Sequence, residues 1–245
     1  MSFTHYRTKG FVFKKEDKGE ADQVFSVFTE DFGKLQILGK GIRKITSKLR
    51  SGADLFYFSE IEFIQGKNYK TLTDAVLLQK FKNIESDSEK FEVAFKIADV
   101  LDLFIGQEEK DEKIWQLLAG ILEALDKSYK LQVTSCKIYY YFLWNLFKIL
   151  GYAPGLYNCS VCGEKILPET IYFIPCSGGL ISWQCAKDLK SLEPINVGTI
   201  KILRIFLKNG ISIIFKLKTE KGDVKNLERI SEIYLEFLRS SIYNN

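Results

Sequence analysis

The chain has 245 residues, of which 46% are hydrophobic, 27% are charged and only 4 are proline, a composition typical of a folded protein and not of a disordered one. Its formal net charge of +4 is modest, so any basic surface must be local. No apolar run approaches the about 18 residues of a membrane span, and the first residues lack the apolar core and cleavage site of a signal peptide, which predicts a cytoplasmic protein.

The first 80 residues carry the period-two alternation of short β-strands. Strand-like segments follow one another at Thr8 to Lys14, Gln23 to Thr29, Gly33 onward, Asp54 to Phe58, Glu60 to Gln65 and Tyr69 to Leu78. About five strands with little helical period between them predict a closed barrel over residues 1–80, and the oligonucleotide-binding (OB) barrel is the five-stranded type. A β-sandwich or an SH3-like barrel fits the same strand count.

One segment of this region, from Gly33 to Arg50, has charged residues that are all basic. They are Lys34, Lys40, Arg43, Lys44, Lys48 and Arg50. The segment alternates as a strand and then meets Gly39 and Gly41, which predicts a strand that bends and continues as a basic loop. Such a loop is suited to a phosphate backbone, whereas a solvated loop without a ligand is the plainer interpretation of a charge run.

The apolar period changes to that of helices from about Asp87. Residues at spacings of three and four predict three amphipathic helices before Ile149, and two further helices follow the cysteine-rich region. The predicted fold is therefore α+β, with an N-terminal barrel over residues 1–80 and a helical domain over residues 81–245.

Four of the five cysteines lie in a short insertion at about residues 156–190. Cys159 and Cys162 form a C-x2-C pair, the spacing that lets two thiolates face one ion, and a hairpin turning near Gly178 would bring Cys176 close to Cys185. The predicted ligands of a structural zinc are therefore Cys159, Cys162, Cys176 and Cys185. Thiols that are simply buried in a core are the alternative.

Motifs of enzyme chemistry are missing from the sequence. It contains no phosphate-binding G-x-x-x-x-G-K-[ST], no dinucleotide fingerprint and no G-x-S-x-G, and His5 is the only histidine. The sequence therefore offers little support for enzyme chemistry.

The order of the parts resembles the RecO family of bacterial recombination mediators. The resemblance is carried by Gly19-Glu20-Ala21-Asp22, by Gly39-Lys40-Gly41-Ile42-Arg43, by Thr71-Leu72-Thr73-Asp74-Ala75, and by Leu150-Gly151-Tyr152-Ala153-Pro154 leading into the first cysteine pair. It covers nearly the whole chain. Each motif is weak alone, and their order and spacing together are fairly specific.

The resemblance implies an OB barrel, a helical domain with a zinc insertion, and a protein that binds single- and double-stranded DNA, anneals complementary strands and works with RecR and single-stranded-DNA-binding protein (SSB) to load recombinase. It also implies that the protein acts without enzymatic turnover, in a cytoplasmic, nucleoid-associated location. We expect RecR to contact the barrel and the acidic C-terminal tail of SSB to enter a groove on the helical domain. Phe11, Phe13 and Tyr57 are candidates for base stacking if they face outward.

One departure from the family pattern concerns the second cysteine pair. In members with zinc this pair follows Gly-Gly as C-x2-C, whereas here Ser182 stands in its first position and Cys176 precedes the glycines. Either Cys176 replaces the missing ligand, which is our expectation, or the site is incomplete. The competing function is a protein-interaction adaptor whose barrel is only a scaffold, and a hydrolase is a distant third.

Overall fold

The structure is a computed structural model that describes residues 4–66, 69–128, 132–168, 171–187 and 192–243. The chain divides into two compact units, residues 1–127 and 128–245. Within the described ranges, no helix combines the length and the apolar character that crossing a bilayer requires.

The first unit begins with five strands that close into a barrel. They are β1 (His5–Lys18), β2 (Asp22–Thr29), β3 (Gly33–Gly39), β4 (Tyr57–Gln65) and β5 (Lys70–Lys80). The barrel order is β1-β2-β3-β5-β4, with β4 pairing back onto β1 and a short parallel contact between β3 and β5. The predicted α+β fold with an N-terminal OB-type barrel is confirmed.

The strand prediction was wrong at one place. Of the two segments predicted as separate strands, residues 54–56 form a turn, whereas residues 57–58 and 60–65 belong to the single strand β4. Phe58 and Ser59 both continue the ladder with β1, opposite Phe11 and Gly10. The turn predicted at Gly66, Lys67 and Asn68 lies partly outside the described residues.

The barrel core is filled by the inward side chains of alternate strand positions. Phe25, Val27, Leu35, Ile37 and Ile61 are among its buried members. The strands approach closely at β1, where a Cβ on Gly10 would lie 2.6 Å from Val27 Cγ1. A side chain at this position would therefore require Val27 or its strand to shift.

Three helices complete the first unit: α1 (Lys82–Ser86), α2 (Ser88–Phe104) and α3 (Glu112–Lys127). Asp87 caps α2 by accepting hydrogen bonds from the backbone N–H groups of Glu89 and Lys90. Trp115 of α3 packs against Phe11 of the barrel, with ring centroids 4.9 Å apart. The predicted domain boundary after residue 80 thus follows the end of β5, and the first compact unit continues beyond it through α3.

The second unit combines helices with a small sheet. Its helices are α4 (Gln132–Ile149), α5 (Trp183–Ala186), α6 (Val197–Lys208) and α7 (Lys221–Tyr243), and its strands are β6 (Ile171–Ile174), β7 (Gly179–Ser182) and β8 (Glu193–Ile195), in the order β7-β6-β8. Trp144 of α4 is fully buried, stacks on Tyr234 and donates a 2.8 Å hydrogen bond to Ser231 Oγ. The aromatic run of α4 therefore belongs largely to the core.

Candidate nucleic-acid interface and cysteine cluster

The basic loop that follows β3 is held in place at its base. Ile42 is 1% exposed and packs into the barrel core. The Gly41 N–H donates to Asp22 Oδ1 at 2.7 Å, and the Arg43 N–H donates to the Ala21 carbonyl at 3.0 Å. The loop is thus attached both to the core and to the turn that joins β1 and β2.

Beyond this base the loop is built from tight turns. The Lys44 N–H donates to the Gly41 carbonyl at 3.1 Å and the Ser47 N–H to the Lys44 carbonyl at 3.0 Å, after which residues 48–51 form a 3-10 turn. Gly41 has φ 62°, a left-handed conformation that favours glycine. These bonds give the loop a defined shape.

Five of the six predicted cations are exposed. They are Lys40, Arg43, Lys44, Lys48 and Arg50. Arg43 pairs with Asp17, with 3.1 Å between its guanidinium and the carboxylate, whereas the other four form no ion pair with any residue that the structure describes. An ammonium or guanidinium without a carboxylate partner is available to a phosphate.

Lys34, the sixth predicted cation, has a different environment. Its residue is 5% exposed, and its ammonium donates to the carbonyl of Asp102 at 2.9 Å and to Asp102 Oδ1 at 3.2 Å. Because it is buried and already bonded to α2, Lys34 is not part of the exposed basic surface. We therefore correct the predicted contact set to the five exposed cations.

A polar cavity of about 210 Å³ lies at the foot of the basic loop. Its lining includes Arg43 and Arg50 from the loop together with Lys15, Gln23 and Asp54. The ammonium of Lys15 is paired with the Asp54 carboxylate, so the cavity combines two guanidinium groups with a neutralised lysine. Arg43 is itself paired with Asp17, so Arg50 is the guanidinium of this cavity that has no carboxylate partner among the described residues and is suited to a phosphate group.

The proposed stacking residues Phe11 and Phe13 do not face outward. Both are buried, and Phe11 stacks on Phe58 with ring centroids 4.6 Å apart. Tyr57 is half-buried, and the Lys80 ammonium lies 5.3 Å from its ring centroid. Alternation along a strand shows which residues share a face, but it does not show whether that face is buried in the core or exposed to solvent.

The cysteine cluster of the second unit has three members. The Sγ atoms of Cys159, Cys162 and Cys185 all lie within 4.8 Å of one another. The first two are brought together by a turn in which the Gly163 N–H donates to the Cys159 carbonyl at 2.9 Å. Thiolates around one zinc ion are separated by about 3.8 Å when each Zn–S bond is about 2.3 Å. The three sulfurs therefore fit a tetrahedral ion that takes its fourth ligand from elsewhere.

Ser182 lies beside this cluster. Its hydroxyl is 3.6 Å from Cys159 Sγ and its backbone N–H is 3.5 Å from the same atom. Burial alone would raise the pKa of the Cys159 thiol, but backbone N–H groups of Cys162, Ser182 and Val161 outweigh that effect and lower the pKa to about 6. The thiolate, which is the form that binds metals, is favoured.

Cys176 is not a member of the cluster, contrary to our expectation. It is exposed and lies in the 3-10 turn Pro175–Ser177 at the closed end of the β6–β7 hairpin. Cys185 follows the open end, where Ser182 pairs with Ile171. A strand of this length separates the two ends by roughly 10 Å. The predicted hairpin exists, but it holds Cys176 apart from Cys185.

A second cavity lies between α4, α6 and the segment before the cysteines. It has a volume of about 430 Å³ and is lined by Lys148, Pro154, Gly155, Leu156, Tyr157, Arg204, Leu207 and Lys208. The Arg204 guanidinium lies 4.5 Å from the Tyr157 ring centroid and donates to the Leu156 carbonyl. The cavity has apolar walls and a cationic rim. Its residues come from three separate segments, so no local motif could have identified it.

Comparison with known proteins extends over almost the whole chain. A family model described as Recombination protein O N terminal matches residues 1–81, and one described as Recombination protein O C terminal matches residues 85–239. A protein from Dehalococcoides mccartyi named DNA repair protein RecO is 33% identical over 233 residues, covering 95% of this chain and 90% of the relative. A protein of the same name from Thermoanaerobacter sp. strain X514 is 28% identical over 245 residues, covering 98% and 97%.

Proposed function

The chain belongs to the RecO family of DNA repair proteins, and from that premise we propose that it is a recombination mediator that acts by binding and without catalytic turnover. In this proposal it binds single- and double-stranded DNA, promotes annealing of complementary strands and helps to load recombinase onto DNA coated with SSB. It acts in the cytoplasm, on the nucleoid.

The observation that carries the proposal is the anchored basic loop. Lys40, Lys44, Lys48 and Arg50 have no carboxylate partner among the described residues, and Arg43 has an exchangeable one. A surface ion pair contributes little stability, so Arg43 can leave Asp17 for a phosphate at small cost. Four or five cations on one short loop supply enough phosphate contacts for binding that depends on salt.

Annealing follows from the same charges. Two complementary strands repel each other through their phosphates, and cations that neutralise both backbones reduce this repulsion. Phosphate contacts carry no sequence information, so one loop can serve any pair of complementary strands. The cavity lined by Arg43 and Arg50 is the candidate binding site for one of these phosphates.

The test is a titration of single-stranded DNA at several salt concentrations. In the variant Lys40→Ala/Arg43→Ala/Lys44→Ala, affinity should fall about equally for unrelated sequences, and the slope of log affinity against log salt should decrease by about 0.7 for each lost contact. Strand annealing should slow in parallel. The control is Lys201→Ala/Lys216→Ala/Lys225→Ala, which removes the same charge from exposed positions of the second unit.

An unchanged salt slope and unchanged annealing in the loop variant would exclude the basic loop as the DNA site. A parent protein that binds no DNA at low salt would instead favour the adaptor function, in which the barrel is a scaffold. The control variant distinguishes a local effect of the loop from a general effect of net charge.

We further propose that the cysteine cluster binds a structural zinc through Cys159, Cys162 and Cys185, with the hydroxyl of Ser182 beside the fourth position. The supporting observation is the distance of at most 4.8 Å between the three sulfurs. A bound zinc would add to the stability of the small sheet, because a metal that binds only the folded state stabilises it.

Two protein partners complete the proposal. The cavity has apolar walls, and Lys148, Arg204 and Lys208 at its rim supply the positive charge that an acidic tail requires, so we assign it to the C-terminal tail of SSB. RecR is proposed to contact the barrel.

A further inference from the structure

Two isoleucines of the basic loop, three residues apart, have opposite environments. Ile42 is 1% exposed and belongs to the barrel core, whereas Ile45 is 92% exposed. No other large apolar residue of the described chain is as exposed as Ile45, and the next is Tyr157 at 60%. An isoleucine held in water by a structured loop contributes nothing to the fold of the isolated protein.

The loop does not leave Ile45 free to fold back onto the barrel. The turn bond from the Ser47 N–H to the Lys44 carbonyl encloses residue 45, the turn before it is closed by the bond from Lys44 to Gly41, and Ile42 anchors the loop at its base. A β-branched side chain adds rigidity because its χ1 angle is restricted. The side chain is therefore presented to solvent in a defined direction.

We propose that Ile45 contacts the bases of DNA bound to this loop and inserts against or between them, so that the stacking of one step is disturbed. The inference rests on the proposed DNA binding and names a role that the cations do not have. The cations neutralise phosphates, and Ile45 meets the apolar faces of the bases.

The charges around Ile45 favour nucleic acid over an apolar protein surface. Arg43 and Lys44 precede it and Lys48 follows it, so a partner that covers Ile45 must also accept these positive charges. A DNA strand offers phosphates for the cations and apolar base faces for the isoleucine within each nucleotide. Isoleucine is among the residues that DNA-binding proteins insert as wedges at base steps.

This contact gives the loop a way to prepare a strand for pairing. A strand whose bases remain stacked in its own single-stranded conformation must reorganise before it can pair with its complement. A wedge at one step exposes the edges of the neighbouring bases while the cations hold the backbone. The loop would then both screen and open the strand.

The experiment uses the full chain and oligonucleotides that carry 2-aminopurine, a base analogue whose fluorescence rises when it is unstacked. With the parent protein, binding should increase the fluorescence. In Ile45→Ser, the increase should be largely lost and affinity should fall about threefold to tenfold, as expected when about half of an isoleucine side chain loses its apolar contact. The salt slope should not change, since no charge is removed.

Two further variants keep the test specific. Ile45→Met retains an apolar wedge and should retain most of the fluorescence increase, and Leu167→Ser removes an exposed apolar residue of the second unit and should have no effect. All three variants should melt as the parent does, because these positions are exposed.

The outcomes separate this inference from the proposed function. If the parent binds DNA and Ile45→Ser matches it in affinity and fluorescence, the role of Ile45 is wrong while the basic loop remains the DNA site. The inference is also overturned if Ile45→Ser lowers the affinity but gives the same increase of 2-aminopurine fluorescence as the parent, since that result means that Ile45 does not touch the bases. A parent that fails to bind DNA removes the proposed function itself, and the inference with it.

Discussion

The Lys34 ammonium and the main-chain carbonyl of Asp102 are 2.9 Å apart, and a second contact of 3.2 Å joins the ammonium to the Asp102 carboxylate. Through these two bonds the first cation of the basic segment ties β3 to α2. The backbone adds to the same junction, because the Glu108 N–H donates to the Lys34 carbonyl at 2.9 Å. Lys34, which the sequence groups with the cations predicted to contact DNA, is thus buried and bonded within the fold.

The first prediction concerns this residue. Lys34→Met should lower the free energy of unfolding by about 1 to 3 kcal/mol, because it removes a buried hydrogen bond to a charged group. DNA affinity and its salt slope should stay as in the parent at matched folded protein. Urea unfolding and a salt titration measure the two effects.

Lys40→Met is the matched control for Lys34→Met. Lys40 is exposed and forms no ion pair with the described residues, so its variant should unfold as the parent does and should lose part of the salt slope. If instead Lys34→Met lowered the salt slope and Lys40→Met lowered the stability, Lys34 would have to leave Asp102 and bind phosphate.

The second prediction concerns the metal. The parent should bind about one zinc ion per chain, and Ser182→Cys should raise its affinity, because a fourth thiolate would replace a weaker hydroxyl beside Cys159. Cys159→Ser should lose the metal and lower the melting temperature. Competition against a chromophoric chelator measures the affinity, and elemental analysis measures the stoichiometry.

Cys176→Ala provides the contrast with these cysteine-cluster variants. Since Cys176 lies at the closed end of the hairpin and outside the three-sulfur cluster, its removal should leave zinc affinity unchanged. Zinc loss in Cys176→Ala would restore the ligand set that the sequence favoured. Metal-free parent protein with unchanged stability would refute a structural zinc altogether.

The third prediction is a pH dependence that arises from α4. Lys137 is buried, its ammonium donates to the Leu217 carbonyl at 3.0 Å, and burial lowers the pKa of this lysine below its usual 10.5. Between the lowered pKa and 10.5 the unfolded chain binds more protons than the folded chain, so the free energy of unfolding should rise with pH in that window.

Lys137→Met should remove this contribution to the pH dependence, as measured by urea unfolding at a series of alkaline pH values. Lys148 is the control on the same helix, because it also donates to a main-chain carbonyl, that of Leu207, but is exposed. Lys148→Met is therefore measured beside the parent and Lys137→Met over the same pH series. An unchanged slope in Lys137→Met would contradict the prediction.

The barrel and the hairpin could be predicted from the sequence because their signals are local. Alternation located the strands, and glycines located the bends of the basic loop. The burial of Lys34, Phe11 and Phe13 could not be predicted, because period-two alternation separates two faces without saying which one packs against α2 and α3. The sequence also predicted two strands where the structure has β4 alone. The continuity of β4 depends on its pairing with β1, which is a long-range contact.

The cysteine cluster illustrates the limit for the metal site. The C-x2-C spacing of Cys159 and Cys162 is a local geometric constraint, and the structure brings both into the cluster. The choice between Cys176 and Ser182 depended on where the hairpin turns, because each residue along a strand shifts a ligand by about 3.3 Å. The spacing of the cysteines in the sequence does not determine the register in which β6 pairs with β7.

The last prediction concerns the cavity of the second unit. Lys208 lies at its rim, exposed and without an ion pair to the described residues, so it can meet an acidic peptide directly. Lys208→Glu should weaken binding of a peptide with the SSB tail sequence about tenfold or more, because an attraction becomes a like-charge repulsion. Lys201→Glu makes the same charge change on α6 at an exposed position that does not line the cavity, and should have a smaller effect.

Isothermal titration calorimetry at low and high salt measures the affinity of both variants for the peptide. The difference between the variants should shrink as salt increases, since exposed charges are screened. Equal loss in the two variants would mean that the peptide senses only the general charge of α6, and no heat with the parent would remove this cavity as the tail site.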